Sequence, residues 1–156
     1  MISKLKSASS LSKILRGLKL KRKKIVFTNG CFDILHPGHV SYLERASRMG
    51  DVLIIGLNSD RSVRALKGKD RPINGERDRA YVLSALSFVD YITIFNEDTP
   101  ELLIKKLKPD VLVKGGDWKA KDIVGGDFVR SIRGRVASIK FLKGYSTSSL
   151  IDKMRK

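Results

Sequence analysis

The sequence predicts an α/β domain, a doubly wound, five-stranded parallel sheet with helices on both faces. Three observations predict it. Short apolar runs rich in β-branched residues recur along the chain, as strands buried on both faces do. Stretches with a 3.6-residue apolar period lie between them, as the crossovers of parallel strands require. Glycine-bearing polar loops follow three of the runs, where open α/β sheets bind their ligands.

The elements follow in order. Leu11, Ile14, Leu15 and Leu18 recur at helical spacing behind Ser9 and Ser10, which predicts a short capped amphipathic helix packed on the domain. Residues 1–23 thus read as a basic N-terminal segment with one helix, and 24–156 as the main domain. "KIVFTN" is the first strand. Pro37 suits a first helical turn, and "GHVSYLERASRM" continues that helix to Gly50. "DVLIIGLN" is the second strand, and Asn58-Ser59-Asp60 caps a helix over "RSVRAL". After the polar loop "KGKDRPIN", "GERDRAYVLSALSFV" reads as a helix with Val82, Leu83, Leu86 and Val89 on one face. "YITIF" is the third strand, and Thr99-Pro100 opens the helix "ELLIKKL". "DVLVKG" and "VASIKFL" are the fourth and fifth strands, and "STSSLIDKMRK" closes as a helix. No internal repeat or low-complexity tract interrupts the pattern.

At 156 residues the chain suffices for one good core, and its 42% hydrophobic and 31% charged content is that of a globular domain. No apolar run reaches the ~18 residues a membrane helix needs. The N-terminus lacks the apolar core of a signal peptide, and the lone Cys31 cannot form an internal disulfide. A cytoplasmic location is expected. The formal charge of +16 implies anionic partners: nucleic acid, an acidic membrane or phosphorylated small molecules. Residues 1–24 alone hold nine Lys or Arg and no acid. General solvation is the plainer reading of that charge.

Three loops leave strand carboxyl ends: "NGCFDILHPGH", "KGGDW" and "KGYSTSS". Two run into helix N-termini, whose free N–H groups and positive dipole make anion sites. Both histidines of the chain, His36 and His39, fall within the first. Gly38 leaves room for a phosphate between the two rings, and imidazoles donate to phosphate oxygens. Zinc is the rival reading, but Cys31 is the only thiol and no third histidine exists. A cap and a surface residue is the structural alternative.

These residues resemble the cytidylyltransferase-like nucleotidyltransferases. "NGCFDILHPGH" matches their HxGH signature, and "GYSTSSLI" matches the Ser-Thr-rich turn that opens their last helix. The resemblance implies a Rossmann-like sheet, the HxGH nucleotidyltransferase fold, transfer of a nucleoside monophosphate from ATP or CTP to a phosphorylated acceptor, and Mg²⁺. Within the family, "FTNGCFDILHPGHVSYLE", "LNSDRSVRALKG", "RPIN", "DTPELLI" and "PDVLVKGGDW" look most like the adenylyltransferase domain of ADP-heptose synthesis. That group joins ATP and D-glycero-β-D-manno-heptose 1-phosphate into ADP-heptose for the lipopolysaccharide inner core. It implies a separate heptose kinase and phosphatase and a homodimer, with no membrane and no nucleic acid as partner. Ser148 stands where the group often has Thr, and the residues around Arg79 differ locally from its pattern.

The resemblance and the residues together assign roles. His36 and His39 donate to the α- and β-phosphates, and Arg79 reaches the phosphates as a third catalytic residue. Thr28 and Asn29 meet the triphosphate at the end of strand one, with Gly30, Phe32 and Gly38 beside them. Asp33 orients a substrate hydroxyl or a metal-bound water, or simply caps a turn. Lys114, Gly115, Gly116 and Asp117 contact the nucleoside and its charge. Tyr145, Ser146, Thr147 and Ser148 hold the β- and γ-phosphates; ordinary capping is the alternative. Lys67 and Arg71 close over the phosphates, and Trp118 covers the sugar. No side chain is expected to ligate a metal, and Cys31 is not needed as a nucleophile because displacement is direct. A glycerol 3-phosphate cytidylyltransferase is a rival within the class. A basic nucleic-acid-binding protein is a rival outside it, without a recognition motif to support it.

Overall fold

Side chains alternate across each strand, and here both faces are apolar. In the first strand Ile25 and Phe27 enter one core cluster while Val26 enters the other. In the second, Val52 and Ile54 face the first cluster, and Leu53, Ile55 and Leu57 the second. Such strands must be covered twice. The computed structural model, which describes residues 3–156, shows how.

The elements run α1 (Ala8–Leu20), β1 (Ile25–Gly30), α2 (Pro37–Ser47), β2 (Val52–Asn58), α3 (Asp60–Lys67), α4 (Glu76–Ser84), β3 (Tyr91–Phe95), α5 (Glu101–Leu107), β4 (Val111–Gly115), α6 (Gly126–Ser131), β5 (Arg135–Ile139) and α7 (Thr147–Met154). The five strands form one parallel sheet in the order β3-β2-β1-β4-β5. Ile25 pairs with Val52, and Val26 with Val111. The order reverses at β1, so a crevice opens beyond the carboxyl ends of β1 and β4.

The N-terminal segment belongs to the same core. Leu11 and Leu15 of α1 are buried against Ile25, Phe27, Leu103 and Leu107. Before α1, the Lys6 N–H donates to the Ile92 carbonyl at 2.9 Å, covering part of the β3 edge. Ser7 caps α1 by accepting from the Ser10 N–H, so the cap lies before the Ser9-Ser10 pair that the sequence favoured. Among the described residues, no helix is long and apolar enough to cross a membrane.

Three elements differ from the sequence reading. The helix expected over "GERDRAYVLSALSFV" stops at Ser84, where shorter-range turns take over: Leu86 N–H bonds Leu83 and Val89 N–H bonds Leu86. Its buried face is Arg79, Ala80 and Leu83, which turns Val82 out to 48% exposure. The fifth strand ends at Ile139, leaving Phe141 and Leu142 exposed beyond it. The β4–β5 crossover is a 3₁₀ turn (Ala120–Asp122) followed by α6. The short α6 has no side-chain cap and starts from Gly125 at φ 81°, so its signal was weak.

Because α1 is sealed into the core, Leu15→Ala should lower the free energy of unfolding by about 2–5 kcal/mol, the usual cost of a buried leucine truncation. Urea unfolding measures this. An unchanged midpoint would show α1 to be dispensable to the fold.

Candidate nucleotide-binding site

The crevice beyond β1 and β4 has two chambers. One, of about 190 Å³, is lined by His39, Lys67, Arg71, Thr147 and Phe141 among others. The other, of about 240 Å³, is lined by Asn58, Thr99, Pro100, Trp118 and Ile123 among others. Asn29, Gly30, Cys31 and Lys114 border both. The structure therefore brings together the end of β1, the start of α2, the loop after β4 and the start of α7.

His36 ends the first loop as the N-cap of α2. Its Nδ1 accepts from the His39 N–H at 3.4 Å, which leaves the proton of the neutral ring on Nε2. Pro37 fixes the first turn behind it. The two rings stack with centroids 3.8 Å apart and planes 21° apart. No phosphate fits between them, so the sequence expectation is corrected: an anion meets ring edges. Gly38 instead permits the packing, since a Cβ there would lie 2.9 Å from His36 Cε1 and 3.1 Å from Tyr145 Cβ. Tyr145 continues the stack, 6.2 Å beyond His36. His39 lines the smaller chamber, whereas His36 is buried at its edge.

Burial drives the His39 pKa down to about 4, and the neighbouring His36 adds to the effect. Burial also lowers the His36 pKa. Both rings are therefore neutral at pH 7, and a neutral imidazole still donates one hydrogen bond. His39 Nδ1 is buried without a hydrogen-bond partner. That edge of the ring is sealed against the loop backbone near Ile34, so a ligand in the chamber meets the opposite edge.

Asp33 lines the smaller chamber, but its carboxylate is occupied by protein donors. Its carboxylate accepts from Arg71 Nε at 2.7 Å, from the Ile73 N–H at 2.8 Å and from the Asn74 N–H at 2.9 Å. Asn74 Nδ2 returns a bond to the Asp33 carbonyl. Burial alone would raise the Asp33 pKa, but the Asn74 and Ile73 N–H groups and the Arg71 guanidinium outweigh it and hold the carboxyl below its ordinary value. The turn-capping alternative is what the structure shows. Arg71, pinned through Nε, has terminal nitrogens with no other hydrogen bond among the described residues, and it lines the chamber. Lys67 stands exposed beside it.

Arg79 is also corrected. It is 1% exposed, and its donors reach the Cys31 carbonyl at 2.6 Å, the Asn74 carbonyl at 3.0 Å and Asp60 Oδ1 at 2.8 Å. It braces the first loop from behind and does not line the smaller chamber. Thr28 likewise turns inward: it is fully buried and its hydroxyl pairs with the Tyr42 hydroxyl. Its neighbour Asn29 does line both chambers.

The loop after β4 divides its roles. Gly115 accommodates a ring, because a Cβ there would sit 2.4 Å from Phe141 Cζ. Gly116 takes φ 114°, a conformation other residues rarely adopt. Lys114 lies 5.9 Å from the centre of the Trp118 ring, and burial lowers its pKa. Asp117 points to solvent, 83% exposed and 3.9 Å from Lys140, so it is not part of the crevice. At α7, Ser146 caps by accepting from the Ser149 N–H at 3.0 Å, Thr147 reaches the chamber, and Ser148 is exposed. Phe32, at φ 45°, sets its ring edge-on to His39 at 5.3 Å, and a Cβ on Gly30 would meet that ring at 2.8 Å. The Cys31 thiol is pushed up by burial, unlike an activated nucleophile.

Sequence reasoning missed Tyr42 and Phe141 in the smaller chamber, and Asn58, Thr99, Pro100 and Ile123 in the larger. The ends of β2 and β3 are also strand carboxyl ends, so the rule that found the other loops pointed there too. No cluster of three or more His, Cys, Asp or Glu side chains able to hold a metal exists among the described residues, and Asp33 is fully committed to protein donors.

Two outcomes follow. Arg79→Met should lower stability by about 3 kcal/mol or more, because two carbonyls and Asp60 lose their donor; a raised nucleotide KM at unchanged stability would instead return Arg79 to the phosphates. His39 binds its proton more weakly folded (about 4) than unfolded (ordinary value 6.5), so its contribution is fully present above pH 6.5 and is lost as pH falls toward 4. Between pH 7 and pH 5 that loss is about 2 kcal/mol, and His39→Asn should lack it. Urea melts of both proteins across that range measure the difference.

The comparisons agree with this geometry. The cytidylyltransferase-like family model matches residues 27–152. "Bifunctional protein HldE" of Nitratiruptor sp. is 54% identical over 151 residues, covering 97% of this chain and 32% of that protein. The HldE of Campylobacter concisus is 57% identical over 152 residues, covering 97% and 31%. The chain thus spans about a third of the length of these curated relatives. The crystal structure of a lipopolysaccharide core biosynthesis protein from Thermoplasma volcanium superposes with a TM-score of 0.61 at 28% identity, over 80% of this chain and 99% of that one. A pantoate-beta-alanine ligase from Francisella tularensis, at 14% identity and TM-score 0.62, shares the fold over 97% of this chain and 76% of its own. With the signature loop, the topological switch and the match over residues 27–152 in one place, this chain belongs to the cytidylyltransferase-like family.

Proposed function

We propose that the chain is an adenylyltransferase that moves AMP from ATP to D-glycero-β-D-manno-heptose 1-phosphate, giving ADP-heptose and pyrophosphate. The stacked His36–His39 pair beside a chamber edged by Arg71, Lys67 and Lys114 is the observation that carries the phosphate site. The similarity to the HldE proteins supports the choice of acceptor.

The acceptor's phosphate oxygen attacks the α-phosphorus of ATP in line. The new P–O bond forms as the bond to pyrophosphate breaks, and pyrophosphate leaves. A phosphate monoester is already nucleophilic, so no general base is required. Catalysis is positioning and charge stabilisation. His39 donates from the chamber wall, and His36 presents its Nε2–H from the helix N-cap. The N-terminus of α7, with Ser146 and Thr147, takes the β- and γ-phosphates. Arg71 and Lys67 add positive charge. The larger chamber, between Asn58 and Trp118, takes the sugar. Mg²⁺ bound to the triphosphate would offset phosphate charge beside Lys67, Arg71 and Lys114. An ATP donor suits a cytoplasmic reaction, and a homodimer is the proposed assembly.

A pyrophosphate-release assay with ATP and CTP against sugar and polyol phosphates tests the reading. Release with ATP and heptose 1-phosphate alone is expected, and CTP with glycerol 3-phosphate would overturn it. His39→Ala and His36→Ala should each lower kcat by ~10²–10³, the range for one transition-state donor. Near-normal turnover in both variants would remove the histidines from the mechanism.

A further inference from the structure

The opposite end of the sheet carries a second concave site. At the amino ends of β1, β4 and β5 lies a basin of about 470 Å³ whose wall includes Lys19, Arg22, Lys23, Lys24, Arg133 and Arg135. One carboxylate, Asp110, shares the basin. Its Oδ2 is occupied by the Ile25 N–H at 2.8 Å, and its Oδ1 is 3.9 Å from Lys19. Lys23 is 4.0 Å from Asp51. Arg22, Lys24, Arg133 and Arg135 have no ion pair among the described residues, and all four are exposed. Four uncompensated cations around one hollow repel one another unless an anion joins them.

The backbone supplies an independent argument. Helix α1 ends with the Arg22 N–H on the Lys19 carbonyl at 2.8 Å and the Lys23 N–H on the Leu18 carbonyl at 3.1 Å. Helix α6 ends the same way, with the Arg133 N–H on Arg130 at 2.9 Å and the Gly134 N–H on Val129 at 2.8 Å. Both are Schellman endings, whose left-handed position usually holds glycine. Here it holds Arg22 at φ 57° and Arg133 at φ 65°. A side chain is disfavoured there relative to glycine. Lys21 and Lys23 flank Arg22 in the sequence, whereas Arg130 turns away from the α6 end, onto the Ala120 carbonyl and Asp127. Two arginines are thus held in an unfavourable conformation, and both line one basin.

We propose that this basin binds a free oligophosphate anion, at the end of the sheet away from His39. Its form favours that ligand. It is a hollow and not a plane, and its apolar floor is Met49 and Val111 with no aromatic ring on which a base would stack. The inference is independent of the catalytic reading.

Calorimetric titration of the whole chain with inorganic tripolyphosphate tests it. Two classes of site are expected, one at each end of the sheet. The variant R22Q/R133Q/R135Q should lose one class, by tenfold or more in affinity, while pyrophosphate release is unchanged. His39→Ala should retain that class. A second variant guards against misfolding: R22G/R133G puts glycine where the backbone favours it, so it should stay folded, with a melting temperature no lower than wild type, yet lose the same class. Unchanged tripolyphosphate binding in both arginine variants would overturn the proposal. So would tenfold tighter arginine-dependent binding of a DNA duplex or of phosphatidylglycerol vesicles, which would make the basin a nucleic-acid or membrane contact.

Discussion

Asp33 is the constraint on which the crevice depends. A buried carboxylate persists as an anion only where donors surround it. Here one guanidinium and two backbone N–H groups do so, and all three come from the segment Arg71–Asn74. The bond network therefore joins the loop after β1 to the loop after α3, two segments with no strand pairing between them. Arg79 braces the same junction from below, through the carbonyls of Cys31 and Asn74. Both loops border the chamber that His39 lines, so its shape is set in part by the Asp33–Arg71 pair in its wall and by Arg79 outside it.

That division explains the electrostatics. The charges nearest the core neutralise one another, Asp33 with Arg71 and Asp60 with Arg79. The two imidazoles are neutral as well. What faces the chamber is thus a set of dipoles and N–H donors, with cations at the rim. Such a site is prepared for negative charge without holding buried positive charge of its own, which would be costly to desolvate. The surrounding net charge of +16 draws polyphosphates toward the crevice from solution.

How much was legible in the sequence depended on whether a residue acts locally. His36, Pro37, Gly38 and His39 announce a helix entry by spacing alone, and Ser146 announces a cap; both are local geometry, and both stand. The strands were legible because burial on two faces leaves continuous apolar runs. Asp33 and Thr28 were read as site residues because they are polar and near the motif, and Arg79 because it stands where the family resemblance expects an arginine. Their true partners, Asn74, Asp60 and Tyr42, lie 14 to 41 positions away, and no periodicity links them. Val82 failed for a related reason: Arg79 occupies the buried face that an apolar residue was expected to fill. Phe141 was invisible because its place in the chamber depends on a missing side chain at Gly115, 26 residues earlier.

The two ends of the sheet use backbone conformation in opposite ways. At the carboxyl end, glycines at 30, 38 and 115 clear space so that rings pack beside a hollow. At the amino end, positions 22 and 133 have the φ that favours glycine and carry arginine instead. Clearing space is what a catalytic crevice needs, because the substrate must come close to the main chain. A cationic side chain at such a φ also occurs at Lys108 (φ 51°), at the end of α5, but Arg22 and Arg133 differ from it in lining a common basin. The two ends of the parallel sheet thus differ in kind: neutral donors line a shaped crevice at one, and exposed cations ring an open basin at the other.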